Sequence, residues 1–185
     1  MTDAQAVLDL WFGPPPLQVR TAWFRKDPVF DQEIRSRFGP TVDAALGAEL
    51  CWPGTAGLLA QTLVLDQFPR NLFRGQARAF AGDAQARAIA LQLIDSGAHL
   101  ALHPLQRWFV YLPLEHAEDL ALQERSVALF SALAADAGMA DALDYAERHH
   151  DVIHRFGRFP HRNAVLGRAS TAEELAYLAT PGSGF

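Results

Sequence analysis

Cysteine is almost absent: Cys51 stands alone among 185 residues, so no internal disulfide forms and the redox compartment is left open. Lysine is equally scarce, since Lys26 is the only one among 16 basic residues and the rest are arginines. No long hydrophobic run occurs. The longest, Leu58–Leu65, is interrupted by Gln61 and Thr62 and is far short of the roughly 20 residues a membrane span needs. The start, MTDAQAVLDLWF, carries an acid where a signal peptide would carry basic residues, so the cytoplasm is the expected location and no membrane partner is expected. Basic excess is missing too: a net charge of −5 argues against a broad nucleic-acid surface. No segment alternates polar and apolar residues between turn signals. No phosphate loop, dinucleotide glycine pattern or Gly-x-Ser-x-Gly elbow occurs, and no cofactor is expected. Cys51 lies in a Leu-Cys-Trp-Pro turn without a nearby histidine and reads as packing.

What is there is helical. Half the residues are hydrophobic and a fifth charged, an ordinary globular balance that suits a single helical domain over residues 1–185. Thr2 and Gln5 make a capping-box pattern ahead of Val7, Leu8, Leu10 and Trp11, and Gly13 with Pro14–Pro16 ends that helix. Pro28–Phe38 and Pro40–Leu50 read as two short helices parted by Gly39. After a Cys51–Gly54 turn, Thr55 opens a buried helix running to Leu65. Asp83 caps a helix to about Ile94, closed by Ser96 and Gly97, and Pro104–Leu112 is an aromatic helix broken at Pro113. Helices follow over about Glu118–Ala137, stopped by Gly138, and Ala140–Phe156, with Gly157 at C′. Ser170 and Glu173 form a second capping box for Thr171–Leu178, and residues 180–185 are expected to be a loose tail. The fold class is therefore all-α, an antiparallel bundle or array of helical hairpins.

Three segments hold polar residues that a structural chain does not obviously need. The first, Leu65–Gly75, ends the buried helix with Asp66 and Gln67 and then sets Arg70 and Arg74 one turn apart. A buried carboxylate is costly unless paired, so Asp66 should meet an arginine or a ligand. The second, Tyr111–Asp119, has Glu115, Glu118 and Asp119 at i, i+3 and i+4, where like charges raise one another's pKa or demand a cation. The third runs from His149 through Arg158, His161, Arg162 and Asn163 to Arg168. Residues 103–124 hold one arginine against four acids, and residues 146–168 hold five arginines against two acids, so the two stretches are complementary. Phe68-Pro69-Arg70-Asn71 is echoed by Phe159-Pro160-His161-Arg162-Asn163, and both are expected just past a helix end, where cations meet the negative end of the dipole.

These motifs, together with Arg107-Trp108-Phe109 and Leu114-Glu115-His116, resemble the bacterial domain-of-unknown-function 924 family. The likeness spans the chain from Val7-Leu8 and Trp11 to Glu173-Glu174. It implies an all-α fold similar to tetratricopeptide-repeat arrays, and no known activity.

The residues themselves suggest a polar cleft in which Asp66, Arg70, Arg74, Glu118, Asp119, Arg158, Arg162 and Asn163 bind a small anionic ligand or a peptide carboxylate. An enzyme would use His161 or His116 with Glu115 as acid and base. The plain structural reading pairs the same acids and arginines simply to pin helix junctions. His150 and His154, at i and i+4, have metal-ligand spacing, but no second Glu-x-x-His partners the Glu147–His150 pair, and the flanking arginines would repel a cation. No metal is expected. Trp108, Phe109 and Tyr111 read as core rather than as a stacking platform.

Overall fold

A computed structural model describes residues 3–137 and 139–184. All regular structure among them is helical, as the periodicity predicts, and no strand occurs. No helix among the described residues is long and apolar enough to cross a membrane. Contacts gather the chain into two compact units. The first takes the chain to Arg74 and then Arg78–Pro113; the second takes Gly75–Ala77 and the chain from Leu114 on.

The first unit begins with α1 (Ala4–Phe12), where Asp3 is the N-cap and accepts the Ala6 N–H at 2.7 Å. The expected Thr2 box involves a residue outside the described ones, and Asp3 fills the cap position. Gly13, at φ 72°, ends the helix, and its exposed carbonyls find partners downstream: Trp23 Nε1 and Arg20 donate to the Trp11 carbonyl, both at 2.8 Å, and Arg20 also donates to Leu10. Trp11 is fully buried among Trp23, Phe30, Phe68 and Phe109, the last edge-on at 5.3 Å. Such pairs add about 0.5–1.5 kcal/mol beyond area burial.

Pro28–Leu46 is one helix, α2, not two. The apolar stripe Phe30, Ile34, Phe38, Val42 and Ala45 continues across Gly39-Pro40 and is buried throughout, and Gly39 lacks the Cβ that a following proline would press on in a helix. α3 (Gly54–Thr62) then passes through a π-helical turn, Leu63–Gln67, directly into α4 (Phe68–Leu72). Pro69 has no N–H for the Leu65 carbonyl four residues back, and the wider turn takes five-residue bonds instead: Phe68 N–H donates to Leu63. Gly82 sits against this turn so closely that a Cβ there would lie 2.2 Å from the Leu65 carbonyl oxygen. Gly82 is also the N-cap of α5 (Asp83–Asp95), so Asp83 is a first-turn residue and not the expected cap. Its carboxylate is drawn away by Arg70.

α6 (Pro104–Glu115) runs through Pro113, which loses only one intrahelical bond while the surrounding aromatic face stays buried. The second unit takes over at Leu114. Its hairpin of α7 (Leu120–Ala137) and α8 (Ala140–Phe156) buries Phe130, Leu133, Ala142, Ala146, Val152 and Ile153. Gly138, the expected stop, lies outside the described residues. Gly157 does close α8 at φ 68°, its N–H on the Ile153 carbonyl at 2.8 Å. α9 (Ala172–Leu178) opens with a capping box one residue later than expected, Thr171 with Glu174, because Ser170 is engaged by the Asn163 side chain at 3.1 Å. The chain after α9 is tied back by Thr180 to the Tyr177 carbonyl at 2.6 Å and by Ser183 to the Leu178 carbonyl at 3.1 Å.

Candidate functional site

In the first unit, the motif around Asp66 folds into an ion-pair cluster. Burial removes Asp66 from water at the π turn, and Gln67 Nε2 at 2.5 Å and Arg70 at 3.2 Å meet its carboxylate. Arg70 forks onto Asp83 at 2.7 and 3.0 Å. Burial works against the Arg70 charge, but Asp66 and Asp83 outweigh it and raise its pKa. Arg74 and Asn71 both reach Asp31 on α2, at 2.9 and 2.7 Å. Arg70-Asn71 therefore lies inside a continuing helix and not past its end, because the π turn lets Pro69 be absorbed.

In the second unit, the segments around Glu115 and His161 do meet. The three acids 115, 118 and 119 do not share a helical turn, since α6 stops at Glu115 and α7 starts at Leu120. They go three ways. Asp119 is exposed and accepts the Leu122 N–H at 3.1 Å, acting as a cap for α7. Glu118 takes a forked Arg168 at 2.6 and 2.9 Å and the Phe159 N–H at 2.8 Å. Burial pushes its carboxyl up, but those bonds and the charges of Arg168 and Arg162 outweigh it and hold it below the usual range. Glu115 is buried, with Oε1 3.1 Å from His149 Nδ1.

That histidine was not singled out from sequence, yet it shares the buried stripe Ala142, Ala146, His149, Val152, Ile153. Its Nδ1 also lies 2.8 Å from the Tyr145 carbonyl. A carbonyl only accepts, so Nδ1 carries the hydrogen and bridges carbonyl and carboxylate. Burial, with the positive charges of His116, Arg162 and His161 adding to it, pushes the His149 pKa down to about 2. His116 lies 6.2 Å from it between ring centroids. The Phe159 ring spaces the rest: His149 at 5.5 Å, His161 at 5.6 Å and the buried Arg162 guanidinium at 4.5 Å.

Beside Glu115, Gln123 Nε2 clamps the end of α6, donating to the Glu115 and Ala117 carbonyls at 2.6 and 2.8 Å. Gln123 Oε1 and Ser126 Oγ, one turn on, are fully buried and meet no partner among the described residues. The rim is stitched by arginines. Arg168 also holds Asn163 Oδ1 at 3.0 Å. Arg158 goes to Glu174 at 2.6 and 2.8 Å, not to the expected acids 115, 118 or 119. Glu174 is pulled down to about 2, first by Arg158 and then by the Thr171 N–H. The Arg158–Glu174 and Arg168–Glu118 pairs went unrecognised because residues in separate turns give no spacing signal.

His150 and His154 stack on the outside of α8 at 6.0 Å, and no group of three His, Cys, Asp or Glu among the described residues is placed to hold a metal. A surface depression of about 280 Å³ between α8 and the C-terminal segment is lined by Arg148, Asp151, Tyr177 and Pro181 among others, and by none of the expected site residues.

Comparison with known proteins bears on the family and not on the chemistry. A family model described as a bacterial protein of unknown function, DUF924, matches residues 7–182. The chain is 42% identical to a solved protein of unknown function, ATU0120 from Agrobacterium tumefaciens. That likeness covers 95% of this chain and 96% of the other, at a TM-score of 0.85. No curated protein matches. With nearly its whole length matched by the family and by a solved relative, the chain belongs to the DUF924 family of bacterial proteins of unknown function.

Proposed function

We propose that the second unit binds a small anionic ligand, whose carboxylate or phosphate is received by His116, His161 and Arg162 beside Phe159. One observation carries this reading: two further imidazoles and a guanidinium act on His149, while Glu115 is the carboxylate that meets it. Glu118 also feels Arg162 and is forked onto Arg168, so the two guanidiniums match Glu115 and Glu118, and the imidazoles of His116 and His161 are the further capacity for positive charge that an anion completes. The partnerless Gln123 Oε1 and Ser126 Oγ support a polar ligand reaching this depth, since each such atom costs about 1–3 kcal/mol. Arg158, Arg168, Glu118 and Asn163 order the rim. Arg70 and Arg74, bound to Asp66, Asp83 and Asp31, hold a separate cluster through which an anion binds only by displacing an acid.

A second reading, an acid–base enzyme acting on an anionic substrate, is favoured by the Glu115–His149 contact. A carboxylate that orients a neutral imidazole is a common support for proton transfer. His149 itself stays neutral near pH 7, so His161 or His116 would exchange the proton.

Titration of the intact protein with inorganic phosphate, sulfate and short dicarboxylates, followed through histidine side-chain NMR signals, tests the binding. Saturable shifts at His116 and His161 are expected, with affinity at least tenfold weaker in His161→Gln, about 1.4 kcal/mol. If no anion moves those signals, the cluster is a structural network.

A further inference from the structure

We infer that the surface of residues 19–29 in the first unit docks an acidic protein segment carrying an apolar side chain. Arg70, Arg74, Arg158 and Arg168 are spent on acids within the chain. Arg25 and Lys26 are different. Both are exposed, and neither has an acidic or hydrogen-bonding side-chain partner among the described residues. They directly follow Phe24, which is 51% exposed although it stacks on Trp108 at 4.9 Å and 27°. Val19 and Val29, 59% and 79% exposed, extend the apolar surface on either side in sequence. Large exposed apolar residues grouped with unspent cations mark an interaction surface better than either alone.

The surface is also held in shape. Thr21–Trp23 is a 3₁₀ turn, the Phe24 and Arg25 N–H groups donate to the Thr21 carbonyl at 3.2 and 3.1 Å, and Trp23 is anchored to the Trp11 carbonyl. A pre-ordered anchor loses little freedom on binding. Charge selects the partner. A symmetric pairing of two copies gathers two Arg25 and two Lys26 side chains into one interface, with only the two Asp27 carboxylates, already capping α2, to offset them, which is unfavourable. Two cations give only about 1 kcal/mol each at an anionic membrane, and no amphipathic helix supports them. An acidic segment neutralises both cations and sets its apolar side chain on Phe24. This surface lies in a different unit from the proposed anion site and stands independently of it.

The test is a fluorescence-anisotropy titration of the full chain with a display-selected pool of ten-residue peptides. Each peptide carries four Asp or Glu residues and one Leu or Phe, and matched peptides carry Lys in place of the acids. Saturable binding of acidic peptides is expected, weakening with salt and at least tenfold weaker in both Phe24→Ser and Arg25→Glu/Lys26→Glu. Circular dichroism of each variant reports that the helices persist, and the double variant keeps the test open if Phe24→Ser fails to fold. Equal binding of the lysine peptides, no binding at all, or binding unchanged in the charge variant overturns the proposal. So does concentration-dependent dimerisation abolished by Phe24→Ser, or binding of anionic phosphatidylserine vesicles that needs the same residues.

Discussion

His149 Nδ1 faces the Tyr145 carbonyl and the Glu115 carboxylate together, which leaves its ring a single tautomer with the hydrogen on Nδ1. Long-range ¹H–¹⁵N spectra should show that tautomer unchanged between pH 5 and 8, without titration. In Glu115→Gln the Tyr145 contact should still hold it. A ring that titrates near its ordinary value would mean that water reaches the pair. Sequence reading passed over this residue for a physical reason. His150 and His154 draw the eye because i, i+4 histidines resemble ligands, yet they lie on the outside of α8. The residue that matters lies on the stripe with Ala142, Ala146, Val152 and Ile153, where a polar side chain breaks an otherwise apolar pattern. That break was visible in the sequence. Arg158 and Glu174 were not legible in the same way, since their meeting depends on how the chain folds back after Gly157.

Among elements, prolines were the least reliable guide. Pro40 reads as the start of a new helix and Pro113 as the end of one, and both lie inside helices, because continuous buried stripes outweigh the loss of one hydrogen bond each. Gly157, Gly97 and Gly13 were sound signals, since each sits at positive φ, where other residues are strained. The π turn had no signal beyond the buried polar pair Asp66-Gln67 followed by Pro69. Its packing partner makes it testable. Gly82→Ala would force a Cβ against the Leu65 carbonyl and should destabilise the fold by about 1–3 kcal/mol, as overpacking usually does. Urea denaturation measures the change. A neutral result would show that α5 shifts to make room.

For the whole molecule, the all-helical class was legible from periodicity alone. The boundary between the two units falls inside α6, where no change of composition marks it. Acid should act on the molecule in two stages. His149, at about 2 when folded against an ordinary value near 6.5, is neutral in the fold but takes a proton once unfolded. The unfolded chain therefore binds more protons below pH 6.5, and stability falls with pH from there, by up to about 1.4 kcal/mol per unit. Glu174 adds to the fall only below its ordinary carboxylate range, toward about 2. Urea midpoints from pH 8 to pH 4 should slope downward below 6.5, and His149→Gln, which has no proton to take up, should flatten that upper part. A wild-type profile flat to pH 5 would contradict the burial of a neutral imidazole.

The π turn between Thr62 and Phe68 also has a consequence for how this helix can be inherited. Such a turn holds one residue more than an α-helix of the same rise, so the helix on either side keeps the orientation it would have without that residue. Deleting a single residue from Leu63–Gln67 would close the turn into a regular helix and leave Phe68 beside Trp11 and Phe38 and Arg70 on Asp83. Pro69 would then press its ring on the carbonyl four residues back, which the wide turn now avoids. A lineage that lost that residue would keep the aromatic core and the ion pairs and have to replace the proline. The length of this turn is therefore tied to Pro69, and relatives that keep the Asp-Gln-Phe-Pro-Arg-Asn order should keep the extra residue with it.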